Sequence, residues 1–172
     1  MLRRTFFAVA AAAAALGRRL RGQSRGELTR MAERQLADTP FKAGEIMSSD
    51  SAALVGILED QGSSEFAKAK ACQRLAVVGE ESAVPAVAKL LGDPRLSHYA
   101  RTALEPMPGA AADRALRAAL QAVGGGLLVG VINSIGVRRD PQALDALAEL
   151  RYRDDAEVAA AATWAIHRIR RP

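Results

Sequence analysis

The side chains of this sequence that could act as nucleophiles, acids, bases or ligands are few and scattered. Cys72 is the single cysteine, and His98 and His167 are the two histidines. A cysteine attacks a carbonyl, or takes up a chromophore, through its thiolate, which needs a base or a cation nearby. Lys68 stands one helical turn before Cys72 as a candidate. The alternative, and the favoured reading, is a small buried thiol. His98 beside Tyr99 offers acid–base chemistry, for which the nearest carboxylate in that helix is Glu105, two turns away. A structural or surface role is the favoured reading for His98, Tyr99 and His167. One cysteine and two histidines make neither a multi-cysteine zinc site nor a dedicated transition-metal centre, and no H-E-x-x-H pair occurs. No catalytic set, cofactor or metal is expected.

The remaining chemistry is charge. Arg138, Arg139, Arg151, Arg153, Arg168, Arg170 and Arg171 form the one basic cluster after the N-terminal segment. Arg138 and Arg139 are expected in a turn, and Arg151 and Arg153 in a loop leading to the last helix. Such a patch suits phosphate or an acidic partner. Asp140, Asp154, Asp155 and Glu157 are interspersed and are expected to neutralise much of it. With 4% aromatic residues, stacking platforms for single-stranded nucleic acid are scarce. Trp164 lies on the last amphipathic segment with Val158, Ala161, Ala162, Ala165, Ile166 and Ile169. Its outer side is either capped by Arg168, Arg170 and Arg171 or meets another chain, so a homodimer through this helix is one expectation. The candidate interaction surface is therefore Arg138, Arg139, Arg151, Arg153, Trp164 and Arg168. Gly124-Gly125-Gly126 precedes Leu127 without the Gly-Lys-Ser/Thr continuation of a phosphate loop, and reads as a tight connection.

The elements that must hold these residues follow from composition and period. The chain has 172 residues, of which 37 are alanine and 49% hydrophobic. Alanine favours helix and close helix contacts, whereas sheets favour β-branched and aromatic residues. An all-α chain of one domain plus a tail is expected. The formal charge of +5 is misleading, because residues 1–25 hold six arginines and no acid. The rest carries 18 basic against 19 acidic residues, which is not the footprint of a nucleic-acid-binding domain.

Residues 1–25 read as a targeting leader. Arg3-Arg4-Thr5-Phe6-Phe7 opens an apolar run of 11 residues that ends at Leu16. This is a secretory pattern, too short for a membrane span, with an R-R-x-F core resembling a twin-arginine signal. Arg18, Arg19 and Arg21 directly after it oppose translocation. Export to a periplasmic or secreted location is the first reading. A cytoplasmic extension and an organellar transit peptide are the alternatives. Residues 26–49 read as a short helix near 27–37, broken at Asp38-Thr39-Pro40, and a linker.

From residue 50 the chain repeats. A small or apolar residue, three positions and then Leu or Ile recur as Ala71/Leu75, Ala100/Leu104, Leu128/Ile132 and Ala162/Ile166, with closing residues 29, 28 and 34 apart. The first three are followed by Gly79, Pro106-Met107-Pro108 and Gly136, read as breakers. A second apolar series then ends at Leu91, Leu120 and Leu150. The i, i+4 spacing puts the small and branched residues on one helix face. A helix pair of this size cannot bury that face alone, so stacked pairs are implied. Helices are expected at about 51–61, 65–78, 82–92, 95–105, 110–122, 126–137, 141–150 and 155–169, with Asp50 and Asp154 as N-caps.

The units 67–91, 96–120 and 127–150 resemble HEAT repeats, in particular the short bacterial HEAT-like type first named from phycobiliprotein lyases. Leu75-Ala-Val-Val-Gly79 through Val84-Pro85-Ala86-Val87 is similar to that family's helix–turn–helix pattern, and Asp93-Pro94 to its inter-repeat link. The resemblance covers about residues 50–170. It implies a short α-solenoid of about four helix pairs and, for function, a non-enzymatic scaffold with a protein partner. Two other roles stay open. One is a lyase-like accessory protein or small-molecule binder using Cys72, His98 or Tyr99. The other is phosphate or nucleic-acid binding through the C-terminal arginines, although no specific nucleic acid is expected.

Overall fold

The computed structural model describes residues 40–171. The leader and the helix expected near 27–37 lie outside them. Among the described residues the protein is all-helical, with nine α-helices and no strand. The helices are α1 (Pro40–Ser48), α2 (Ser51–Glu59), α3 (Glu65–Val78), α4 (Val84–Ala88), α5 (Ser97–Leu104), α6 (Ala111–Ala122), α7 (Gly125–Arg138), α8 (Leu144–Leu150) and α9 (Ala156–Arg170). Short 3-10 turns at Glu81–Ala83 and Pro141–Ala143 lead into α4 and α8.

The starts of these helices are written locally. Asp50 accepts the Ala53 amide at 2.8 Å and Ser64 accepts the Ala67 amide at 3.1 Å. The last helix is capped by Asp155, not Asp154: its carboxylate accepts the Glu157 and Val158 amides at 3.0 and 3.2 Å. Asp155 directly precedes the first helical residue, and only from there does a short side chain reach those two orphan donors. The break expected at Asp38-Thr39-Pro40 lies at the edge of the described residues, and Pro40 opens α1 where a linker is expected. A proline loses nothing at a first position, where its missing N–H would have no partner. The second helices are shorter than their periodicity suggests. Pro141 opens the 3-10 turn that precedes α8, and Pro85 sits in the first turn of α4, directly after the 3-10 turn at Glu81–Ala83.

All eleven aliphatic and small positions of the two repeated series are buried, from Ala71 and Leu75 to Ala162 and Ile166 and from Leu91 to Leu150. Helix α3 packs against α1, α2 and α5; α5 packs against α3, α4 and α7; α7 packs against α5, α6 and α9. Helix α4 meets α2 and α6, and α8 meets α9. Ion pairs follow the same neighbours. Lys89 meets Glu59 at 3.0 Å, Arg95 meets Glu65 at 2.6 Å and Arg114 meets Glu81 at 3.7 Å, each across about one repeat length.

Gly136 is not a breaker. It lies inside α7, where an added Cβ would sit 2.7 Å from the Trp164 ring and 3.0 Å from the Ala165 Cα. It is glycine so that α9 can approach. The chain reverses three residues later, at Arg139, which has φ 55°.

Candidate functional site

Arg138 and Arg139 end helix α7 and diverge there. Arg138 turns inward, with 9% of its side chain exposed. Its Nε donates to the Asp113 carboxylate of α6. Its Nη1 donates to the carbonyls of Leu104, Glu105 and Met107 at 2.8, 2.9 and 2.7 Å, and its Nη2 to that of Gly109 at 3.0 Å. The Pro106-Met107-Pro108 break leaves these carbonyls short of helical donors, Leu104 keeping only the Met107 amide at 3.3 Å. A continuing helix would bring the residue-108 amide to Leu104, and a proline has none. Arg138 is therefore a bracket for the α5–α6 connection and does not belong to the interaction surface expected from sequence. Asp140 is also committed. It is buried, pairs with Arg117 and caps the Gln142 amide at 3.0 Å, so it does not neutralise the terminal arginines.

Arg139 caps α7 in the left-handed conformation and points to solvent. Its Nη1 donates to the Arg171 carbonyl at 3.2 Å. Together with Thr163, Trp164, His167, Arg168 and Arg171 it lines an open groove of about 850 Å³ along α9. Trp164 is 43% exposed, rests on Gly136, and carries the Arg168 guanidinium 5.3 Å above its ring. That stacking holds Arg168 extended without using its hydrogen-bond donors. Among the described residues, Arg139, Arg168 and Arg171 form no salt bridge, and the groove lining contains no acid.

The other arginines fall differently. Arg151 lies over the Tyr152 ring at 5.7 Å and lines a separate recess of about 260 Å³ with Arg170. Arg153 is exposed in the loop and lines neither. Of the six surface residues expected from sequence, the structure brings together Arg139, Trp164 and Arg168. Arg171 and His167 join them, and the signal was available: 160, 164, 168 and 171 fall on one stripe of a helix, as do 163 and 167.

Cys72, His98 and Tyr99 do not line the groove. Cys72 is fully buried in α3, and desolvation pushes its thiol up to about 12. The thiolate that nucleophilic or attachment chemistry requires is thereby disfavoured. His98 is exposed and Tyr99 half-buried on α5, their rings edge to face at 5.6 Å. Glu105 does not face them; it accepts the Ser134 hydroxyl at 2.7 Å. Ser134 in turn belongs to a cluster with Arg101, whose Nη1 donates to the Gly130 carbonyl at 3.1 Å and to the Ser134 hydroxyl at 3.3 Å. Burial lowers the pKa of Arg101, and Glu105 opposes that shift. No sequence pattern marked this cluster. It ties α5 to α7 through the space left by Gly130, where a Cβ would sit 2.7 Å from the guanidinium.

Among the described residues no group of three or more His, Cys, Asp or Glu side chains is placed to hold a metal ion, and no helix is long and apolar enough to cross a membrane. Comparisons with family models, curated proteins and solved structures found no match.

Proposed function

We propose that residues 50–170 form a short α-solenoid of HEAT-like helix pairs that acts as a non-enzymatic scaffold for a protein partner, exported by its basic leader. The repeat-long spacing of the ion pairs, together with the packing of α3, α5, α7 and α9 each on the next, supports the solenoid. The observation that carries the functional reading is the α9 groove. An exposed tryptophan and three arginines that meet no carboxylate among the described residues line one groove, which is the composition of an interface centre. The thiol that would serve a lyase-like role is enclosed.

Two measurements test this. Hydrogen exchange on the full chain should protect α5 and α7 most, since each is covered on two sides, with protection falling towards α2 and α9. Uniform protection would remove the solenoid. Crosslinking in native-host extract, read by mass spectrometry, should join one protein to the α7–α9 surface and lose it when α9 surface residues are changed. Turnover of a tetrapyrrole or other small molecule by the purified chain would overturn the scaffold reading.

A further inference from the structure

We infer that the α9 groove receives an acidic protein segment that places an apolar side chain beside Trp164 and its carboxylates on Arg139, Arg168 and Arg171. The inference rests on the scaffold reading and names the chemistry of what the scaffold holds.

Charge selects the occupant. Three arginines line the groove from two places, Arg139 from the end of α7, and Arg168 of α9 with Arg171 directly after it. The ion pairs formed elsewhere do not reach them, and Asp140, adjacent to Arg139 in sequence, is turned inward onto Arg117. The groove is thus positive within a body that is close to neutral. Guanidiniums present paired donors matched to carboxylates. Arg168 is already held by the Trp164 ring, so little freedom is lost when it binds.

The floor selects a protein segment over nucleic acid. Trp164 and the methyl groups of Ala159 and Ala160 form an apolar strip between the arginines. One aromatic ring, covered on one face by Arg168, provides no series of platforms on which successive bases stack. A side chain such as leucine fits beside it, with acidic neighbours reaching the rim.

Trp164 is the single tryptophan of the chain, so its fluorescence reports this groove alone. That matters because the six arginines of residues 1–25 also attract acidic peptides. The full chain is titrated with a short peptide of glutamates interrupted by leucine at every third position. The expected result is a saturable change in Trp164 emission that weakens as salt is raised. In the double variant R139E/R168E it should weaken at least about tenfold, with the helical circular dichroism unchanged.

Several results would overturn the inference. They are no emission change, an equal response to the peptide with lysine in place of glutamate, and a response unaffected by R139E/R168E. Tighter binding of oligothymidylate than of the peptide would assign the groove to nucleic acid. A dimer in sedimentation that is abolished by R168E and excludes the peptide would assign it to a second copy. If the peptide fails while a crosslinked partner maps to other helices, this inference falls and the scaffold stands. If the peptide binds but no partner crosslinks to the α7–α9 surface, the groove chemistry stands and the scaffold falls.

Discussion

Arg138 and Arg139 are adjacent in the chain, and the two regions they serve are built on opposite principles. At the α5–α6–α7 junction two arginines are matched by carboxylates. Arg138 holds Asp113 and four carbonyls, and Arg117 holds Asp140. At the α7–α9 end, Arg139, Arg168 and Arg171 stand over an exposed ring and meet no carboxylate among the described residues. The difference arises in one backbone step. Arg138 is the last residue of α7 and projects onto the proline-broken connection, whereas the positive φ of Arg139 swings its side chain towards α9. A polar group enclosed by packing must be fully paired, and one left at the surface is free to bind.

The largest expected effect falls on the matched side. Arg138→Ala strands Asp113 and the Glu105 and Met107 carbonyls, and should cost about 3–5 kcal/mol in urea unfolding. Arg138→Lys should recover only part, since one ammonium cannot reach both the carboxylate and the carbonyls. A loss under about 0.5 kcal/mol, the level of an ordinary surface change, would erase the contrast between the two regions.

Next comes the contact that joins them. Gly136→Ala drives a methyl group into the Trp164 ring and Ala165, and should cost about 1–3 kcal/mol. Adding Trp164→Ala should relieve only part of it, because the Ala165 Cα remains 3.0 Å from the new Cβ. Full relief would mean that the ring alone sets the α7–α9 distance.

Cys72 gives a smaller, pH-dependent effect. Its folded pKa of about 12 lies above the unfolded value, so the folded state keeps the proton longer. The stabilisation is complete below the unfolded pKa and is lost as pH rises from there through the folded value. Its slope is at most about 1.4 kcal/mol per pH unit. Unfolding of the wild type and of Cys72→Ala between these limits should diverge in that sense; parallel curves would show the thiol to be hydrated. The native thiol should also resist alkylation at mildly alkaline pH until urea is added.

The smallest stability effect belongs to the unmatched side. Arg139→Ala and Arg168→Ala should each change unfolding by no more than about 0.5 kcal/mol, as ordinary surface substitutions do. Arg168→Ala should nevertheless shift Trp164 emission, since the guanidinium leaves the ring face. A destabilisation comparable to that of Arg138→Ala would place these arginines in the structural class.

Much of the fold was legible because it is local. Asp50 marks its helix start by reaching the amide three residues on, and a small and a branched residue four positions apart mark the buried faces. The proline positions were visible, but not that Pro40 opens α1 and Pro141 a 3-10 turn. A proline can open a helix as readily as end one, and the choice depends on which side packs. Half of the candidate surface was also visible, as the stripe from Trp164 through Arg168.

By itself the sequence determined that the described residues are all-helical, the positions of most of their helices and the faces these bury. Tertiary structure decided the fate of the charges. Arg138 finds Asp113 25 residues away and Arg117 finds Asp140 23 residues away, while Cys72 loses the water that would let it ionise. Helix propensity and periodicity act over a few residues and are written in order along the chain. The partner of a long charged side chain is set by how α6 packs on α7, and no local pattern encodes that packing.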